Sequence, residues 1–155
     1  MKRVLEVDFL PRETDVAFSW LDSLGDSARR ILIVDNDKNT TRLIKVLLEK
    51  TGRYLVLEEN DAARAHTTAR GFRPDLIFLD VVMPHRNVGE IAAQIQLDPE
   101  LRGTPVIFLT ALVPKAEADK VFGIDGHSFV AKPIDFQKLI SAIEKQLPAR
   151  TKSSG

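Results

Sequence analysis

There is no cysteine among the 155 residues, which excludes disulfides, cysteine-ligated zinc and thiol catalysis together. Net charge is also absent. The 22 Lys and Arg balance 22 Asp and Glu, so no global field favours nucleic acid or an anionic membrane. No apolar run approaches the ~20 residues of a spanning helix. The first residues, Met1-Lys-Arg-Val-Leu-Glu-Val-Asp8, lack a long apolar core and are interrupted by acids, so no secretory signal is expected and the cytoplasm is the default compartment. Repeats and low-complexity tracts are missing too. What remains, 44% hydrophobic and 28% charged, is the ordinary composition of one globular domain.

The most informative stretch is Arg73 to His85, Arg-Pro-Asp-Leu-Ile-Phe-Leu-Asp-Val-Val-Met-Pro-His. Four apolar residues, Leu76 to Leu79, suit a strand buried on both faces and opened by Pro74-Asp75. That strand ends on a carboxylate, Asp80. The run Ile31–Val34 ends likewise in Asp35-Asn36-Asp37, Val106–Leu109 ends in Thr110, and Ser128–Ala131 ends in Lys132-Pro133. In a parallel sheet the carboxyl ends of the strands share one edge, where such sheets bind ligands. Two acids, a hydroxyl and an ammonium are therefore expected in one crevice.

Between these strands lie helix-length segments. Asn39 or Thr40 is expected to cap a helix carrying Leu43, Ile44, Val46, Leu47 and Leu48, with Asp37 either solvated or capping it instead and Gly52 just past its end. Tyr54 to Leu57 reads as a second strand. Asn60-Asp61 should cap an Ala-rich helix that runs to about Arg70 and stops at Gly71, with His66 a surface residue on it. Gly89 to Leu97, Lys115 to Phe122, and a last helix capped by Asp135 and stopped by Pro148 complete the pattern. Strands alternating with helices imply a parallel sheet covered on both faces. Residues 1–29 stand apart as an amino-terminal extension. Thr14-Asp15 could cap a short helix with Val16, Ala17, Trp20, Leu21 and Leu24 on one face, ended by Gly25. It reads first as a cover for its own domain and second as a docking or homodimer element. Residues 149–155 form a short tail, with no output domain expected after it.

From about Arg30 to Leu147 the chain resembles the receiver domain of two-component response regulators, of the stand-alone type. The acidic cluster after the first strand, Asp80 with Met83-Pro84, Thr110-Ala111 and Lys132-Pro133 carry the resemblance, each in order and each at a strand end. It implies a flavodoxin-like, doubly wound five-stranded sheet of order 2-1-3-4-5 spanning residues 30–148. It also implies that Asp80 accepts a phosphoryl group from the phosphohistidine of a histidine kinase or phosphotransfer protein. Mg²⁺ would be held by Asp35, Asn36, Asp80 and the carbonyl of Val82. Lys132 would pair with the phosphoryl oxygens, Thr110 would hydrogen-bond them, and Phe129 stands at the aromatic switch position. The Lys132-Pro133 bond is cis in such domains. The partners implied are that kinase and a downstream protein, with no nucleic acid and no membrane.

Three positions depart from the family pattern: Asn36 where an aspartate ligand is usual, Val88 where a glycine follows the Met-Pro turn, and Asp125-Gly126 before the fifth strand. The first removes charge from the metal site and keeps a degenerate, phosphorylation-independent binding module in view. A haloacid-dehalogenase-type phosphatase would use Asp35-Asn-Asp37. It fits worse, because Asn39 stands where Thr or Val is wanted and Asp80 would have no role.

Overall fold

The apolar runs that open each unit are the parts buried most deeply. Ile31, Leu32, Ile33, Leu76, Ile77, Phe78, Leu79, Ile107, Phe108 and Leu109 are without solvent exposure, as strands covered on both faces require. The structure, a computed structural model, describes residues 28–83, 87–111 and 128–148. Its strands are β1 (Arg29–Val34), β2 (Tyr54–Glu59), β3 (Leu76–Asp80), β4 (Val106–Thr110) and β5 (Ser128–Ala131). All pair in parallel, in the order β2-β1-β3-β4-β5. This is the expected 2-1-3-4-5 order, with β2 at one edge.

Alternation along the strands divides the core into two layers. Leu32, Val34, Ile77, Leu79 and Phe108 face α2 (Ala65–Phe72) and α3 (Val88–Leu97), meeting Ala69, Phe72, Ile91 and Ile95. Ile31, Ile33, Phe78, Ile107 and Leu109 face α1 (Lys38–Glu49) and α4 (Phe136–Gln146), meeting Ile44, Leu48, Leu139 and Ile143. Each fully buried Leu, Ile or Phe stabilises the fold by ~1.5–3 kcal/mol, so truncating Phe78 would cost ~3–5 kcal/mol.

Several helix ends differ from expectation. α1 is capped by Asp37, whose side chain accepts from the Asn39 N–H, rather than by Asn39 or Thr40. This carboxylate, two residues before Asn39, also accepts from the Thr40 hydroxyl. α2 does not stop at Gly71. It runs through to Phe72, whose ring enters the core, and turns at Arg73 with φ 56°. Burial of Phe72 outweighs the propensity of glycine to end the helix. β2 extends to Glu59, two residues beyond Leu57, because it continues to pair with Val34. Val88 opens α3 and is buried in the core behind the Asn87 cap, so an apolar residue is accommodated there. Residues 1–27, Lys115 to Phe122, Asp125-Gly126, His85, His127 and the tail lie outside the described residues.

Candidate functional site

With order 2-1-3-4-5, the chain reverses direction across the sheet between β1 and β3, and the crevice at that switch point lies beyond their carboxyl ends. Asp35 directly follows β1 and Asp80 ends β3. Both are buried. Lys132, directly after β5, reaches across to them. Its Nζ lies 2.8 Å from Asp35 Oδ2 and 3.2 Å from Asp80 Oδ1. The approach to Asp35 Oδ2 is an ion pair rather than a well-aligned hydrogen bond. Sequence reading expected four groups in one crevice, the Thr110 hydroxyl with these three; Asp35, Asp80 and Lys132 meet, and Thr110 does not join them.

The edge carrying them is stitched by backbone bonds. Val81 N–H donates to Leu109 O at 3.0 Å, and Lys132 N–H donates to Thr110 O at 2.7 Å. The Lys132–Pro133 peptide bond is cis. Thr110 is buried beside this edge, and its Oγ1 has no hydrogen-bond partner. Alternation explains why. Thr110 falls on the strand face of Phe108, whereas Asp80 falls on the face of Phe78 and Asp35 on that of Ile33. Phe129 stands opposite Phe108 on β5, the two rings 5.7 Å apart and tilted by 34°.

Electrostatics are tense. Burial pushes the Asp80 carboxyl up to about 6; the charge of Asp35 adds to this, and Lys132 and the Val82 N–H oppose it. Burial works to lower the Lys132 ammonium, but its close pairing with Asp35 and the charge of Asp80 more than offset that, holding it above the ordinary lysine value. Two close carboxylates share one cation.

The Asp35 loop is held from β2, by residues the sequence reading did not single out. Asn60 was expected to cap a helix. Instead its Nδ2 donates to Asp35 O at 2.8 Å and to Thr41 Oγ1 at 3.0 Å, leaving Asp61 to cap the 3₁₀ turn Ala62–Arg64. Thr41, fully buried on α1, donates to Glu58 Oε1 at 2.7 Å. Asp37 N–H closes the loop on Asp35 Oδ1 at 2.9 Å. The only local signal was a polar run, Glu58-Glu-Asn60, ending an otherwise apolar edge strand. At the opposite end of the strands Asp75, read as a turn residue, accepts from Arg30 N–H and donates its own N–H to Arg30 O. His66 is not simply a surface residue. Its Nε2 lies 2.8 Å from Oδ2 of the buried Asp98, which Arg70 also reaches. The Glu100 N–H, with His66 and Arg70, holds the Asp98 carboxyl below its usual value. Asn36 is exposed at the crevice rim. Val82 is exposed as well and lends its N–H to Asp80.

Two carboxylates fit Mg²⁺, which takes one or two protein carboxylates and keeps several waters. Among the described residues no three of His, Cys, Asp and Glu cluster as a metal site, so a site built for a cation held wholly by acidic or imidazole side chains is not found there. No helix among the described residues is long and apolar enough to cross a membrane.

Fold and site together define a doubly wound parallel α/β domain with an acid pair and a lysine at its switch point. Within that class the chain belongs to the response regulator receiver domain family, whose model matches residues 31–144. It is 29% identical over 119 residues to the polar-differentiation response regulator DivK of Brucella anthropi, covering 77% of this chain and 96% of that one. Protein RcaC of Microchaete diplosiphon is 28% identical over 118 residues, 76% of this chain but 18% of that longer protein. Among solved structures, the receiver domain of a signal transduction histidine kinase from Syntrophus aciditrophicus is 32% identical, with a TM-score of 0.67 over 81% of this chain and 96% of that one. The chemotaxis protein CheY4 of Vibrio cholerae shares the fold at 22% identity and a TM-score of 0.69, over 77% of this chain and 99% of that one.

Proposed function

We propose that this receiver accepts a phosphoryl group on Asp80 and signals through the conformational change that follows. The observation that carries the reading is the convergence of Asp35, Asp80 and Lys132 within ion-pair distance at the switch point. In the step, an Asp80 carboxylate oxygen attacks the phosphorus of a phosphohistidine on a histidine kinase or phosphotransfer protein. The P–O bond forms as the P–N bond breaks, and the departing imidazole nitrogen keeps the electron pair and takes a proton from solvent. A donor of this class fits a cytoplasmic protein, with a downstream protein as reader of the phosphorylated form. Its catalysis is limited to its own phosphorylation and hydrolysis.

The remaining roles follow from position. Asp35, Asp80, the Asn36 side chain and the Val82 carbonyl would hold Mg²⁺. When bound, the cation offsets repulsion between the carboxylates and the incoming phosphoryl group. Lys132 pairs with phosphoryl oxygens as a point charge. The Thr110 hydroxyl, buried without a partner, gains one in the new phosphate, and its movement leaves room for Phe129 to follow. This is a two-state element biased by a local charge event.

Asn36 favours a second reading, a module that binds partners without phosphorylation, because it removes one negative charge from the metal site. At 4 Å and an effective dielectric near 20 a unit charge is worth up to ~4 kcal/mol, before desolvation and acid–acid repulsion are deducted. The two readings separate in a calorimetric Mg²⁺ titration coupled to labelling by phosphoramidate. Weak but measurable Mg²⁺ binding, slow labelling, and a gain in both with Asn36→Asp support the phosphoacceptor. No Mg²⁺ binding and no labelling in the native chain, with both appearing in Asn36→Asp, would establish the degenerate module.

A further inference from the structure

α1 buries Thr41, Ile44 and Leu48 and turns the opposite stripe outward, yet the middle of that stripe is apolar. Asn39, Leu43, Val46 and Lys50 follow one another at helical spacing and are all exposed, Leu43 by 47% and Val46 by 43%. α4, its neighbour on this side of the sheet, exposes Gln137, Lys138, Ser141, Glu144, Lys145 and Gln146 instead. Only one of the two helices presents apolar groups to a partner. We propose that the partner is this chain's own residues 13–26, lying along α1.

Three observations choose that occupant. The first is reach. β1 begins at Arg29, whose N–H bonds Arg53 O and whose guanidinium bonds Pro148 O. The segment therefore enters at the sheet edge where α1 ends. Three residues separate Gly25 from Arg29, a span of at most ~14 Å, so the segment's end must lie near that edge. The second is pattern. Val16, Ala17, Trp20, Leu21 and Leu24 share one face of a helix over 14–24. Such a helix is ~16 Å long against ~18 Å for α1. Running parallel to α1 and leaving into β1 at that end, it would set Trp20 level with Val46 and Val16 level with Leu43. The third is charge. Residues 13–26 hold four acids, Glu13, Asp15, Asp22 and Asp26, and no base, while α1 with Lys50 holds four bases and one acid. Opposite net charges draw the two together within a Debye length. This inference stands apart from the phosphoacceptor reading.

Trp20 is the only tryptophan of the chain, so the full-length protein reports on the contact unaided. The native chain should show blue-shifted emission, weak acrylamide quenching and a monomer mass in light scattering. Leu43→Glu/Val46→Glu changes two exposed side chains, so the circular dichroism of the domain should persist. Emission should move to that of tryptophan in water, with quenching several-fold stronger. Leu97→Glu, on the far side of the sheet and 81% exposed, should change nothing. In this cysteine-free chain, Leu24→Cys with Lys50→Cys should form an intramolecular disulfide on oxidation. Water-like emission in the native chain would overturn the proposal, and so would an equal response to Leu97→Glu. A blue-shift unmoved by the double variant would also overturn it, as the segment would then cover another surface. Burial appearing only as dimer mass rises would transfer the contact to a second copy and overturn the intramolecular form.

Discussion

An ionised Asp80 costs the fold stability. Its folded value of about 6 lies above the 3.8 of an unperturbed aspartate, so the folded state binds the proton more tightly than the unfolded chain. Stability is then greatest below pH ~4 for this group and falls as pH rises through about 6. Two units correspond to ~3 kcal/mol. In EDTA at pH 7.5, Asp80→Asn should therefore raise the unfolding free energy by up to ~3 kcal/mol, and the gain should vanish near pH 4. Denaturant melts across that range would measure it. A gain that persists unchanged at pH 4 would mean that relief of the ionised carboxylate is not its source. Thr110 carries a smaller cost of the same kind. A buried hydroxyl without a partner costs ~1–3 kcal/mol, so Thr110→Val should stabilise the unphosphorylated protein by ~1 kcal/mol. The same substitution should weaken whatever response follows phosphorylation, read as the difference in hydrogen exchange with and without a phosphodonor.

At the scale of elements, the acid loop is as much a product of β2 and α1 as of β1. Asn60, just past the edge strand, holds the Asp35 carbonyl, and Thr41 of α1, itself bonded to Glu58, holds Asn60. Asn60→Ala should lower Mg²⁺ affinity roughly tenfold, as loss of an outer-shell partner does, with calorimetry as the readout. Unchanged affinity would show that the loop holds itself. The main elements were legible because buried parallel strands read as short apolar runs, and because Asp35, Asp80, Thr110 and Lys132 end those runs. Helix limits were less so. Gly71 looked like a stop, but whether a helix passes a glycine depends on what its next residue can bury, and only the fold provides a pocket for Phe72. The Asn60 clamp was illegible for a related reason. Asn before Asp reads locally as a cap, while its true partner, the Asp35 carbonyl, lies 25 residues away. Nor does the sequence pair His66 with Asp98, 32 residues apart.

For the whole molecule, two apolar layers hold five strands so that their carboxyl ends can do little but converge. That rigidity makes the site a charge trap, with two buried acids sharing one lysine and one idle hydroxyl beside them. A phosphoryl group on Asp80 would supply a partner for Thr110 and phosphoryl oxygens for Lys132. The central claim is that Asp80 takes that group. The most direct test is the intact mass of the full-length chain after incubation with acetyl phosphate and Mg²⁺. The native protein should gain the mass of a single phosphoryl group, labile to hydroxylamine as an acyl phosphate is, and Asp80→Ala should gain none. The same single addition on Asp80→Ala, or no addition to the native chain even with saturating Mg²⁺, would contradict the account.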